Sequence, residues 1–108
     1  MLDRSLDAVA DGTRRAILQR LAHGQATVGQ LAALFPISRP AVSQHLKQLK
    51  DAGLVRTTGP GRLSAYELVP GPLIEIEAWA SALVESWTHG PLPRDNRNKG
   101  ADSVEATR

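Results

Sequence analysis

The sequence predicts a mainly α-helical domain carrying one small β-hairpin, and three observations lead there. Apolar residues recur at helical spacing in several short stretches, each bounded by a capping or breaking residue. Between residues 54 and 69 the period changes to two, on either side of a Gly59-Pro60-Gly61 turn. A polar, basic helix stands directly before that hairpin. Short helices, then a basic helix, then a hairpin is the order of a winged helix-turn-helix.

Each element has a local reason. Leu2, Leu6 and Val9 predict a short amphipathic helix over Leu2 to Ala10, which Asp11-Gly12-Thr13 interrupts. Asp11 is placed to cap the next helix, whose apolar stripe is Ala16, Ile17, Leu18 and Leu21 and whose end is His23-Gly24. Arg14, Arg15 and Arg20 are expected on its solvated side. Thr27 with Gln30 three residues later is a capping box ahead of Leu31, Leu34 and Phe35. Pro36 limits that helix to about two turns, and Ile37 is expected to plug the core between two helices.

Ser38 caps the following helix, in whose first turn Pro40 is tolerated because its missing N–H would have no partner there. Val42, Leu46 and Leu49 form its buried stripe, and Gly53 ends it in a left-handed conformation after Ala52. Leu54–Thr58 and Arg62–Val69 read as the two strands, with Tyr66 and Leu68 packed. Pro70-Gly71-Pro72 breaks the chain before a last helix from Leu73 to Trp87. Its stripe is Leu73, Ile76, Ala80, Leu83 and Trp87, widened by Trp79. The polar stretch 91–108 lacks periodicity and is expected to be a disordered tail, leaving residues 1–90 as the domain.

With 108 residues, roughly two-thirds of the extended chain's surface would be buried on folding, enough for a small core. The absence of cysteine excludes disulfides, thiolate metal sites, iron–sulfur clusters and a cysteine nucleophile. No apolar run approaches 18 residues, and no hydrophobic block follows the N-terminus. No membrane association is therefore expected, and the cytoplasm is the expected location. Charge is unevenly spread: residues 1–69 carry nine basic and five acidic groups, residues 70–108 four and six. A basic centre beside a mildly acidic end suggests one surface facing a polyanion and another facing something else.

The basic helix suits double-stranded DNA. Its outward residues are Ser38, Arg39, Ala41, Ser43, Gln44, Lys47 and Lys50, with no bulky apolar group at the end that would enter a major groove. Arg39 can fork onto guanine and Gln44 onto adenine. Ser43, Lys47 and Lys50 suit phosphates, which supply affinity without base choice. Arg62 at the hairpin tip would reach backbone or minor groove. His45 suits either packing beside Leu49 or a base contact. Any one of these cations also fits a merely solvated helix face; it is the grouping of cap, short helix, basic helix and basic hairpin that points to nucleic acid. Trp79 and Trp87 read as packing residues or as marks of a dimer seam.

Several stretches resemble the ArsR family of bacterial transcriptional repressors. They are LDAVADGTRRAILQRL between Asp3 and Leu21 and its flanks, Val28-Gly29-Gln30-Leu31-Ala32, Ser38-Arg39-Pro40-Ala41-Val42-Ser43-Gln44-His45-Leu46 and Leu49-Lys50-Asp51-Ala52-Gly53-Leu54-Val55, with Arg62–Leu68 similar to the wing. The resemblance covers about residues 2–88. It implies a homodimer whose first and last helices pair across a two-fold axis. That assigns dimerisation to Leu2, Leu6, Leu73, Ile76, Trp79, Ala80, Leu83 and Trp87. It also implies binding to an imperfect palindrome in a promoter, commonly the protein's own. Arg39, Pro40, Ser43, Gln44 and His45 match the DNA-reading helix and Arg62 the wing.

Metal-sensing members carry a Cys-x-Cys type motif where this chain reads Val28–Ala32, or Asp, His and Glu ligands on the last helix. Without cysteine, thiolate sensing is closed. Glu85 and His89, four residues apart, are the remaining candidates for a shared zinc, and solvated residues are the plainer reading. The chain looks more like the non-metal-sensing subgroup that includes the SdpR repressors, with no cofactor, no metal and an unidentified small-molecule inducer.

Two other function classes fit the sequence less well. A winged-helix protein-interaction module would favour acidic or large apolar residues on the helix, whereas its exposed face is polar and net basic. An enzyme would need a Ser/His/Asp grouping, a glycine-rich phosphate loop or clustered carboxylates; His23, His45 and His89 stand far apart in unrelated settings. No enzymatic activity is expected.

Overall fold

Capping residues set the helix boundaries. The computed structural model of the chain describes residues 2–61 and 64–89, so Arg62, Leu63 and the tail 91–108 lie outside the described residues. Among the described residues the order is α1 (Leu2–Ala8), α2 (Gly12–Leu21), α3 (Val28–Ala32), α4 (Arg39–Asp51), β1 (Val55–Thr58), β2 (Ala65–Leu68) and α5 (Gly71–Thr88).

The Asp11 carboxylate accepts the Arg14 backbone N–H at 2.9 Å and so starts α2. Arg14 then reaches back over α1, its Nε donating to the Ala8 carbonyl at 2.7 Å, while Arg15 Nη1 donates to the Val9 carbonyl at 2.9 Å. The last carbonyls of a helix have no partner within it, and guanidinium groups fill that need here. Arg14 and Arg20 are accordingly half-buried, which corrects the expectation of a purely solvated role. α1 stops at Ala8 rather than Ala10 and buries Ser5 and Ala8, while Leu2 and Leu6 stay half-buried. Small side chains on this face let α1 lie against α4.

In α3 the capping box closes both ways: Gln30 N–H donates to Thr27 Oγ1 at 3.1 Å, and Thr27 N–H to Gln30 Oε1 at 2.9 Å. Leu31 is buried, and Phe35 and Ile37 pack against the core. Leu34 differs from expectation: it is 58% exposed. It would share the face of Leu31 only if the helix continued, and α3 ends at Ala32.

α4 is bounded at both ends. Ser38 Oγ accepts the Ala41 N–H at 3.2 Å, with Pro40 in the first turn. At the other end Gly53 adopts φ +77°, its N–H donates to the Lys50 carbonyl, and the Leu54 N–H donates to the Leu49 carbonyl, both at 2.9 Å. That pair of bonds is a Schellman motif, and the left-handed residue it requires is a glycine. Val42, Leu46 and Leu49 are wholly buried and meet Ile17, Leu31 and Leu54 in the core. Each such side chain contributes about 1.5–3 kcal/mol by leaving water.

β1 and β2 pair antiparallel with Val55 opposite Leu68 and Thr57 opposite Tyr66. Tyr66 and Leu68 pack against the core, and Arg56 and Glu67 form a 3.0 Å ion pair across the strands. On its other edge Tyr66 exchanges both backbone hydrogen bonds with Ala26, at 2.8 and 3.1 Å, tying the hairpin to the segment before α3.

α5 begins at Gly71, two residues earlier than expected. Pro72 sits in its first turn and needs no N–H partner, and Ile74 N–H donates to the Pro70 carbonyl at 3.0 Å. The chain divides into two compact units, the first running to Ala78 and the second starting at Trp79. In the first, Leu73 packs against the core. In the second, the described part is the continuation of α5, with Trp79, Leu83, Val84 and Trp87 exposed. No helix among the described residues is long and apolar enough to cross a membrane.

Candidate nucleic-acid interface

The stripe that fixes α4 in the core also fixes what it presents outward. With Val42, Leu46 and Leu49 turned inward, Ser38, Arg39, Pro40, Ser43, Gln44, Lys47 and Lys50 are all exposed on the same helix and its cap. Eight of the nine residues expected to meet DNA thus fall within the described residues, and Arg62 alone falls outside. They form one continuous polar strip along α4.

His45 is the exception within the strip. It is half-buried, and its Nδ1 is enclosed with no hydrogen-bond partner among the described residues. It lies close enough to Asp11 for their charges to interact. The Asp11 carboxyl is held below its ordinary value, first by the Arg14 backbone N–H and also by the charges of His45 and Arg14, against the opposing effect of burial. His45 therefore serves the packing between α4 and the start of α2 with at least part of its ring.

The cations are not equivalent. Lys47 pairs with Asp51 at 3.0 Å, and Arg56 with Glu67 at the same distance. Arg39 and Lys50 have no carboxylate partner among the described residues. The Arg39 side chain is exposed, and its guanidinium lies against Gly29 in the first turn of α3. There it borders an open cleft of about 590 Å³ between α3, α4 and the hairpin. Ser43, Thr57, Ser64 and Tyr66 line the same cleft, and among the described residues no acidic side chain does. Linear reading did not single out Thr57 or Tyr66 as lining residues; the hairpin register, which sets them opposite each other, brings both to the cleft.

The residues expected to pair in a dimer divide by position. Leu2, Leu6, Leu73 and Ile76 are half-buried in the single chain. Trp79, Ala80, Leu83 and Trp87 are exposed, with the two tryptophans 46% and 55% accessible. At 100° per residue, the α5 positions from Leu73 to Trp87 in this set fall within an arc of about 120°. Glu85 and His89 face each other at 3.4 Å, and no group of three or more potential metal ligands gathers among the described residues.

Comparison with known proteins agrees with this geometry. The family model described as "Bacterial regulatory protein, arsR family" matches residues 11–57, from the α2 cap to β1. The chain is 51% identical over 86 residues to the HTH-type transcriptional regulator Rv2034 of Mycobacterium tuberculosis, covering 75% of this chain and 80% of that protein. It is 41% identical over 61 residues to the transcriptional repressor SdpR of Bacillus subtilis, covering 56% and 68%. Among solved structures, the ArsR family transcriptional regulator RHA00566 superposes with a TM-score of 0.75 at 38% identity, over 81% of this chain and 96% of that one. The winged helix-turn-helix expected from the sequence is the observed fold.

Proposed function

Because the chain belongs to the ArsR family, as a transcriptional regulator with a winged helix-turn-helix DNA-binding domain, we propose that it acts as a homodimeric repressor. It is a regulator and not an enzyme. In this reading two copies of α4 enter successive major grooves of an imperfect promoter palindrome, about 34–36 Å apart on one face of the duplex. Occupying a promoter, its own included, blocks polymerase. Its working compartment is the cytoplasm, where bacterial DNA lies.

The observation that carries this reading is the exposed polar strip from Ser38 to Lys50, held outward by a fully buried apolar stripe. Arg39 and Gln44 read bases, while Ser43, Lys47 and Lys50 hold phosphates. Arg62 reaches the backbone or minor groove beside them. Pairing of two chains rests on the apolar stripe of α5, whose exposed tryptophans and leucine suit an interface core. SdpR, a repressor by name, supports repression as the outcome.

The test is a titration of Arg39→Ala and Lys47→Ala against matched and scrambled duplexes at two salt concentrations. Arg39→Ala should cost about 1–3 kcal/mol on the matched duplex alone. Lys47→Ala should weaken every duplex alike and lower the salt slope by about one unit. Equal losses on all duplexes for Arg39→Ala would refute its reading role.

A further inference from the structure

Gly29 is a glycine without a backbone reason. It lies in the first turn of α3, and its φ is outside the left-handed region that favours glycine. An alanine there would favour the helix by up to about 1 kcal/mol. A residue that goes against local propensity with no local gain points to a constraint elsewhere. The constraint is visible in what a side chain at this position would meet. A Cβ on Gly29 would overlap Nη2 of Arg39 and stand 3.5 Å from its Cζ, with Thr27 Oγ1 next at 3.9 Å. No backbone atom outside the helix obstructs it. The missing side chain makes room for the Arg39 guanidinium and for nothing else.

We propose that Gly29 is a positioning residue for DNA recognition, holding the Arg39 guanidinium at the rim of the cleft from which it engages the duplex. This rests on the proposed DNA-reading role of Arg39. An arginine at the first position of an exposed helix has many rotamers, and each must be given up on binding. A planar, weakly hydrated guanidinium settles on a bare stretch of backbone where a Cβ would lift it off. The seat is open to solvent and bordered by hydroxyl groups, and among the described residues no carboxylate lines the cleft to compete for the cation. The chain thus presents Arg39 already placed, and the cost of ordering it is met in folding.

The experiment uses four full-length proteins: wild type, Gly29→Ala, Arg39→Ala and the double variant. The probes are a 30-base-pair duplex selected by the wild type from a randomised library, and a scrambled duplex of the same composition. Gly29→Ala should melt no lower than wild type, because the displaced atoms are the far end of a flexible side chain. It should lose about 5-fold or more in preference for the selected duplex, the lower range of a guanine-reading pair. In the Arg39→Ala background the same substitution should change nothing. Loss of preference that persists in that background would overturn the proposal, as would wild-type behaviour of Gly29→Ala or a lowered melting temperature. Failure of the wild type to select any duplex would instead refute the DNA-reading role on which the proposal rests.

Discussion

Lys47 Nζ lies 3.0 Å from Asp51 Oδ2, one helical turn further along the outward side of α4. Both side chains are more than half exposed, so the pair contributes no more than about 0.5 kcal/mol to stability. The order, cation before anion along the helix, is also the weaker one. Its consequence lies in binding, because a phosphate has to compete with Asp51 for the ammonium. Asp51→Asn is expected to leave the unfolding midpoint nearly unchanged and to strengthen binding to every duplex, with the salt slope unchanged because the proposed Lys47–phosphate contact is already made in the wild type. Anisotropy titrations at two salt concentrations check this. Affinity no higher than that of the wild type would mean that Lys47 does not meet a phosphate.

Ser38 fixes the start of α4. Its hydroxyl accepts the Ala41 N–H, one of the N–H groups with no partner inside the helix. Ser38→Ala should cost about 0.5–2 kcal/mol. Thermal unfolding would show this as a drop of several degrees in a chain of this size. Ser38→Asn, which restores a capping oxygen, should recover most of the loss.

The Asp11 cap brings a pH dependence whose sign follows from the direction of its shift. Its folded carboxyl titrates below the ordinary value of 3.8, so the charged form is the one the fold favours. That contribution is fully present above the unfolded value and is lost as pH falls through the folded one. Asp11→Asn keeps a capping oxygen and removes the titration. Melting curves from pH 6 to pH 2 should therefore fall less steeply for the variant, with the difference confined to the acid end. Parallel curves would contradict the cap as the cause of the shift.

Several of these features were legible in the sequence, and the others were not, for physical reasons. Caps are local chemistry: Asp11, Thr27 with Gln30, and Ser38 each act on an N–H within three residues, and all three behave as spacing predicts. The stripe Val42, Leu46, Leu49 was equally plain because one face of a helix repeats. The Ala26–Tyr66 bridge joins single residues forty positions apart and leaves no period to detect. The start of α5 was hidden by Pro70-Gly71-Pro72, which signals a break even though proline is welcome in a first turn. For the interface, the outward strip followed from the stripe. The resting place of Arg39 did not, since it depends on α3 and α4 meeting at Gly29.

The α5 stripe carries a prediction of its own. Leu83 is 54% exposed between Trp79 and Trp87 on the same side of the helix. Leu83→Glu should leave the secondary structure and melting of the single chain intact while converting a dimer to a monomer. Sedimentation velocity reads the mass directly. The variant should lose most of its affinity for a duplex with two half-sites and little for one with a single half-site. An unchanged sedimentation coefficient would contradict the proposed pairing of two chains through α5.

The most direct measurement is a hydroxyl-radical footprint of the purified protein on its own promoter DNA. The account predicts two protected half-sites related by a dyad, their centres one helical turn of about 10–10.5 base pairs apart on one face. A single unsymmetrical protected patch, or protection no different from that on unrelated DNA, would contradict it.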